Sequence, residues 1–199
     1  MTQGDLASPA SPRRRDAAAT RTAILHAARE EFTQRGYDGV GVREIARAAK
    51  VDPRLIGRYF GSKEGLFAEI VDLAYEKSLM MTPELNAQAA RELLTGTDKS
   101  AEAGMLLTLR SAANPRAAAI MRDSIERNYQ RRLADALPGT DTTSRASLLI
   151  AICAGVILDR TLLGHSALNS PDTESLIPYL HAALDAVAKA LEPKPATGS

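Results

Sequence analysis

At Asp52-Pro53, Thr82-Pro83 and Asn114-Pro115 a short polar residue stands directly before a proline. Each pair is a helix-start signal. The polar side chain caps free N–H groups, and proline at the first helical position gives up an N–H that has no partner there. Between these starts apolar residues recur at helical spacing. No segment alternates apolar and polar residues long enough to read as a strand. The expected fold is all-α, with about nine helices.

Asp16 or Thr20 can cap a first helix reaching about Gln34, with Ile24, Leu25, Ala28 and Phe32 on one face and Gly36 in the left-handed position just past its end. A short helix from Val42 to Ala48, a turn, and a second short helix opened by Asp52-Pro53 follow. Ser62 caps a longer helix reaching about Met80. Residues 84–95, 100–113, 115–137, 141–165 and 172–191 complete the set, Pro178 kinking the last or delaying its start. Residues 1–15 read as a disordered basic arm and 193–199 as a disordered tail. Residues 16–62 and 63–192 are the expected domains.

The formal net charge is +1, which alone argues against a nucleic-acid partner. Its distribution reverses that inference. Residues 13–63 carry net +6 and the remainder net −5, and six of the eight aromatics lie between Phe32 and Tyr75. A basic, aromatic-rich N-terminal quarter next to an acidic, Ala- and Leu-rich remainder points to two functional parts. The longest apolar stretch, Ala146 to Leu158, is 13 residues and reads as too short to span a bilayer. The N-terminus lacks an apolar run that could act as a signal sequence, and the lone Cys153 reads as a small core hydrophobe. A soluble, cytoplasmic protein without a membrane partner is expected.

The two short helices at 42–59 form a candidate helix-turn-helix. Ala46 is small enough for the helices to cross, while Val42, Ile45, Val51, Ile56 and Phe60 are spaced to pin the pair to its surroundings. Arg54, Leu55 and Arg58 are on offer to a major groove. Spacing alone also fits an ordinary helical hairpin.

The stretch ILHAAREEFTQRGYDGVGVREIARAAKVDPRLIGRYFGSKEGLFAEIV resembles the DNA-binding domain of TetR-type bacterial transcriptional repressors. The resemblance rests on Ile24, Ala28 to Phe32, Gly36-Tyr37, Val42 to Ala46, Val51, Arg58 to Phe60 and Ser62 to Glu64. It implies a dimer on a pseudo-palindromic double-stranded operator, with a small effector held by a divergent helical C-terminal domain. It places Arg43 within reach of a base or phosphate, and Pro53, Arg54 and Leu55 at the leading edge of the recognition helix. Tyr59 and Lys63 fall where the backbone is gripped. An arginine can take guanine bidentately and Leu55 can meet a thymine methyl. Arg13, Arg14 and Arg15 suit either a minor-groove arm or a solubilising tail.

Three positions depart from the family pattern. Gly41 replaces the usual capping Thr and offers DNA only its N–H. Lys50 occupies the usual turn glycine, at a cost of roughly 1 kcal/mol if that turn is left-handed. Gly57 replaces a phosphate-binding Tyr and weakens a short helix by up to about 1 kcal/mol.

Apolar positions nominate the remaining sites. Tyr75, Met105, Leu109, Met121, Ile125 and Tyr129 could line an effector cavity for a hydrophobic molecule, with Met80 and Met81 nearby, though such residues also serve as plain core. Leu148, Ile152 and Gly155, with the stripe Leu176, Leu180, Leu184 and Val187, could form a homodimer interface or complete the monomer core. His26, His165 and His181 are too scattered for metal spacing, and there is no phosphate loop or nucleophile motif. No catalytic residues, metal or cofactor are expected. The rivals to a ligand-responsive repressor are a ligand-independent architectural DNA-binding protein and, remotely, a small helical enzyme.

Overall fold

The computed structural model describes residues 12–76, 78–97 and 99–189. Among the described residues every regular element is helical: α1 (Pro12–Arg35), α2 (Val42–Ala48), α3 (Arg54–Phe60), α4 (Lys63–Tyr75), α5 (Asn86–Thr95), α6 (Lys99–Ser111), α7 (Pro115–Ile125), α8 (Arg131–Ala136), α9 (Thr142–Leu158) and α10 (Ile177–Ala188). A π turn, Glu126–Gln130, joins α7 and α8 into one rod, so the described chain forms nine rods. A second π turn, Asp159–Leu163, prolongs α9, and the 3-10 segments Ser166–Leu168 and Pro171–Leu176 lead into α10.

The starts at Asp52-Pro53, Ser62 and Asn114-Pro115 act as their chemistry demands, whereas Thr82-Pro83 opens no helix, since α5 begins only at Asn86 without a side-chain cap. Asp52 Oδ1 accepts from the Arg54 N–H at 2.8 Å, Ser62 Oγ from Gly65 at 3.1 Å, and Asn114 Oδ1 from Arg116 and Ala117 at 2.9 and 3.0 Å. Pro178 delays the last α-helix, which begins at Ile177. Two further boundaries differ from expectation. α1 starts at Pro12, which puts Arg13, Arg14 and Arg15 in its first turn rather than in an extended arm. Neither expected cap acts as one: Thr20 donates its hydroxyl to the Asp16 carbonyl at 2.8 Å inside the helix. α4 stops at Tyr75, where Ser78 donates to the Tyr75 carbonyl at 2.9 Å. Residues 1–11 and the tail 193–199 lie outside the described residues.

α1 buries Ile24, Ala28 and Phe32 against α2 and α4, while Leu25 is half-covered at the edge of the same face. α4 then runs alongside α7, α6 packs against α1 and α4, and α5 lies against α10. Three rings hold this junction: Phe67 meets Phe32 edge-on at 5.1 Å and Tyr37 at 4.9 Å between centroids. At the far end Arg145 gathers carbonyls, donating to Val187 at 2.9 Å, Pro138 at 2.7 Å, Thr140 at 2.8 Å and Ala188. A cation on the last carbonyls of α10 completes their hydrogen bonding and opposes the helix dipole. Asn86 donates to Asp185 at 2.8 Å and ties α5 to α10.

With its π turn α9 is 22 residues long, with a mean hydropathy of 1.9 over its most apolar window. That is long and apolar enough to cross a bilayer, so the 13-residue count understated it. Ala146, Leu149, Cys153 and Ile157 of this helix are buried in the bundle core.

Replacing Phe67 by Ala removes the ring shared by Phe32 and Tyr37. The expected loss is roughly 3–5 kcal/mol of unfolding free energy, read from urea titration.

Candidate nucleic-acid interface and regulatory cavity

Ala46 of α2 is wholly buried with Ile45 and with Ile56 of α3, while Val42, Val51 and Phe60 pack half-buried around them. The turn between them closes as a Schellman motif. Val51 donates to the Ala46 carbonyl at 3.0 Å and Lys50 to the Arg47 carbonyl at 3.1 Å. Lys50 takes the left-handed conformation at φ 56°, the strained case foreseen for a non-glycine residue.

Arg43 and Arg47 on α2, Pro53 at the cap of α3, and Arg54 and Arg58 on α3 are exposed. None of these four guanidinium groups has an ion-pair or hydrogen-bond partner among the described residues. Arg47 was missed in the sequence, yet it lies one turn from Arg43 on the same face. Leu55 and Tyr59 pack half-buried against the core, so only part of each side chain faces outward. A Cβ added at Gly57 would meet nothing, which puts this position on the open face beside Arg58. Gly41 sits at the α2 cap and donates its N–H to Glu44 at 2.9 Å. Glu44 thus supplies from inside the helix half of a capping box. Lys63 stands with its ammonium 4.2 Å from the centre of the Tyr37 ring, so the ring holds the cation at the start of α4. The side chains of Arg13, Arg14 and Arg15 lie outside the described part of the structure.

Glu44 titrates below the usual glutamate range because its own backbone N–H and that of Gly41 hydrogen-bond the carboxylate. Glu64 is lowered in the same way by its own N–H and by Ser62. Tyr37 is pushed up, first by burial and then by Glu64.

Behind this face, a cavity of about 260 Å³ lies between α4, α6, α7 and α9. Tyr75, Met105, Leu109, Ile125 and Tyr129 line it as expected, joined by Thr108 and by Ile150, Cys153, Ala154 and Ile157 of α9. The α9 residues went unrecognised because that helix reads as uniformly apolar. Met121 lines a neighbouring cavity instead, which shares Thr108, Ile125 and Ile150 with the first. Met81 is plain core and Met80 packs against it.

The residues expected at a dimer contact separate. Leu184 is wholly buried in the protomer core, a correction that follows from the packing of α10 on α5 and α9. Ile152, Leu180 and Val187 are half-buried against the core, and Leu176 is partly covered. Leu148 is 52% exposed, Gly155 is open, and Tyr179, at 75% exposed, joins them as an outward aromatic that sequence reasoning missed.

The helix-turn-helix and its outward arginine face are thus set on a larger helical bundle that encloses an apolar cavity. Residues 24–70 match the family model for bacterial regulatory proteins of the tetR family, and residues 84–187 that for the tetracyclin repressor-like C-terminal domain. The chain belongs to the TetR family. It is 37% identical over 81 residues to the HTH-type transcriptional repressor NicS of Pseudomonas putida, a match spanning 38% of each chain. A TetR-family regulator from Streptomyces coelicolor A3 is similar in structure, with TM-score 0.53 and 25% identity, covering 92% of this chain and 99% of that one. GusR of Salmonella enterica shares the fold with TM-score 0.63 and 22% identity, covering 94% and 100%.

Replacing Lys50 by Gly relieves the left-handed turn, and the expected gain is about 1 kcal/mol in urea titration. The stabilisation that comes from the lowered Glu44 and Glu64 is present above the ordinary glutamate range and is lost as pH falls through their lowered values. A Glu44→Gln, Glu64→Gln double variant is expected to show a flatter loss of melting temperature between pH 5 and pH 3 than the parent.

Proposed function

We propose that this chain is a sequence-specific DNA-binding transcriptional repressor that acts as a homodimer and is released from its operator by a small hydrophobic effector. The observation that carries the reading is the open face of α2 and α3. Arg43, Arg47, Arg54 and Arg58 stand there with no ion pair or hydrogen bond to their guanidinium groups among the described residues, on a segment of net charge +6 within a nearly neutral chain. Unpaired guanidinium groups on a rigid helix pair fit phosphates and guanine edges. Arg54, Arg58 and the exposed edge of Leu55 lie on the recognition helix and read bases. Arg43, Arg47, Tyr59, Lys63 and the Gly41 N–H position the backbone. Residues 16–62 make up the DNA-binding domain and 63–192 the regulatory one, working in the cytoplasm where the DNA is.

The outer surface of α9 and α10 supports the dimer. Only 22% of the apolar window in Thr142–Leu163 is buried within the chain, and Leu148, Gly155 and Tyr179 remain outward. A helix this apolar, with Leu148 and Gly155 left outward, is stabilised by a partner of like character. A two-fold pair places its recognition helices about 34–36 Å apart, one turn of duplex. Tyr75, Met105, Leu109, Ile125 and Tyr129 would receive the effector, with Met121 in the adjoining space.

Duplexes selected from a random pool are expected to yield a pseudo-palindromic site. On that site Arg54→Ala should cost roughly 1–3 kcal/mol and relax one position of the half-site, while Arg47→Ala weakens all duplexes alike and lowers the salt slope by about one. Equal affinity for random duplex at moderate salt would defeat this reading and favour an architectural protein.

A further inference from the structure

The polar atoms of the cavity are selective in what they offer a guest. None of the described residues lining it carries a charge. A carboxylate or an ammonium entering it would leave water for a wall with no counter-charge, so ionic guests are rejected.

The hydroxyl groups narrow the choice further. Tyr75 Oη lies 2.6 Å from Thr108 Oγ1, and Thr108 Oγ1 lies 3.0 Å from the Gly104 carbonyl. Thr108 has one proton. Both bonds form together only when Thr108 donates to Gly104 and Tyr75 donates to Thr108. Tyr129 donates to the Leu79 carbonyl at 2.6 Å, and Ser78 to the Tyr75 carbonyl at 2.9 Å. Four of the five hydroxyl protons lining the cavity, those of Tyr75, Ser78, Thr108 and Tyr129, are therefore committed inside the protein; the fifth belongs to Ser100, an exposed residue. What the Tyr75–Thr108 pair still presents is oxygen lone pairs. Burial raises the pKa of Tyr75, so its phenol stays protonated and neutral.

We propose that the effector is an uncharged, mostly apolar molecule bearing a hydroxyl donor, an alcohol or a phenol, which it gives to the oxygen pair of Tyr75 and Thr108. This rests on the reading of the cavity as the effector site. The space suits a small ring system with a short substituent, since an apolar cavity of about 150 Å³ already holds benzene. An ether or ketone of the same shape brings a second acceptor to a wall of acceptors and binds less well.

The test is calorimetric titration of the full chain with 4-propylphenol, 4-propylanisole and 4-propylbenzoate. The phenol is expected to bind at least about tenfold tighter than the anisole, the worth of one buried hydrogen bond, and the benzoate not at all. The Tyr75→Phe, Thr108→Val double variant, which removes both oxygens, should bring the phenol to the level of the anisole without moving the anisole. Thr108→Val, close in shape, takes away the acceptor for Tyr75, frees its proton and should improve anisole binding. Equal affinity of phenol and anisole for the parent protein overturns the donor preference, as does a ratio unchanged in both variants. Ala154→Phe on α9 and Leu109→Phe on α6 fill the cavity, with circular dichroism confirming the fold. If they abolish binding while phenol and anisole are equal, the site stands and only the preference falls. If the phenol binds these variants as it binds the parent, or if none of the three probes binds the parent, the cavity reading and the preference fall together.

Discussion

Both halves of the molecule lean on Tyr37. Its ring stacks on Phe32 at 6.1 Å, meets Phe67 at 4.9 Å and receives the Lys63 ammonium at 4.2 Å. Its backbone N–H donates to the buried Ser111 hydroxyl at 3.1 Å. These partners come from the end of α1, the start of α4 and the end of α6. Gly36 makes the meeting possible. It takes φ 70°, and a Cβ there would collide with the Arg110 carbonyl, so only glycine lets α6 approach the end of α1 this closely. Arg110 reinforces the contact by donating to the Thr33 carbonyl, and Asn114 by donating to Asp38 at 2.8 Å.

The helices held at Tyr37 are the same ones that wall the cavity. α4 carries Lys63 at one end and Tyr75 at the other, about 18 Å apart along the axis. On α6, Thr108 and Leu109 face the cavity and the next two residues, Arg110 and Ser111, grip the α1 turn. Packed interiors transmit strain because they contain few voids to absorb it. A guest that displaces α6 must therefore move either the Tyr37 turn or the contacts that hold it. In the proposed function this is how occupancy of the cavity reaches Arg54 and Arg58: the orientation of α2 and α3 follows Phe67 and Ile56, which share one core with α4.

What was legible in the sequence was local. The limits of α2, the caps at Asp52, Ser62 and Asn114, the left-handed Lys50 and the small Ala46 all follow from chemistry within a few residues. So does most of the cavity set, because an aromatic or methionine on a half-apolar helix has few places to point. Features decided by distant partners were not legible. Leu184 sits on the same stripe as Leu180 and Val187, yet it alone is wholly buried, because α10 packs on α5 and α9. Arg145 looks like a surface charge until the carbonyls of Pro138, Thr140, Val187 and Ala188 converge on it. Arg47 needed the fold to show that it shares the open face of Arg43, Arg54 and Arg58.

α9 is the sharpest instance, since its all-round apolar character was plain and its division of labour was not. One side gives Ala146, Leu149 and Cys153 to the core, another turns Ile150 and Ala154 to the cavity, and a third leaves Leu148 and Gly155 outward. Cys153 and Ile157 belong to both of the first two sides. A uniformly apolar helix is what three different dry neighbours require, so hydropathy alone could not tell them apart. The arrangement also has a mechanical consequence for the proposed dimer. A guest pressing on Ile150 and Ala154 pushes on the helix that carries Leu148 and Gly155, and through it on the second copy. Each recognition helix would then be repositioned relative to its mate as well as to its own bundle. Two half-sites one duplex turn apart tolerate little of either displacement.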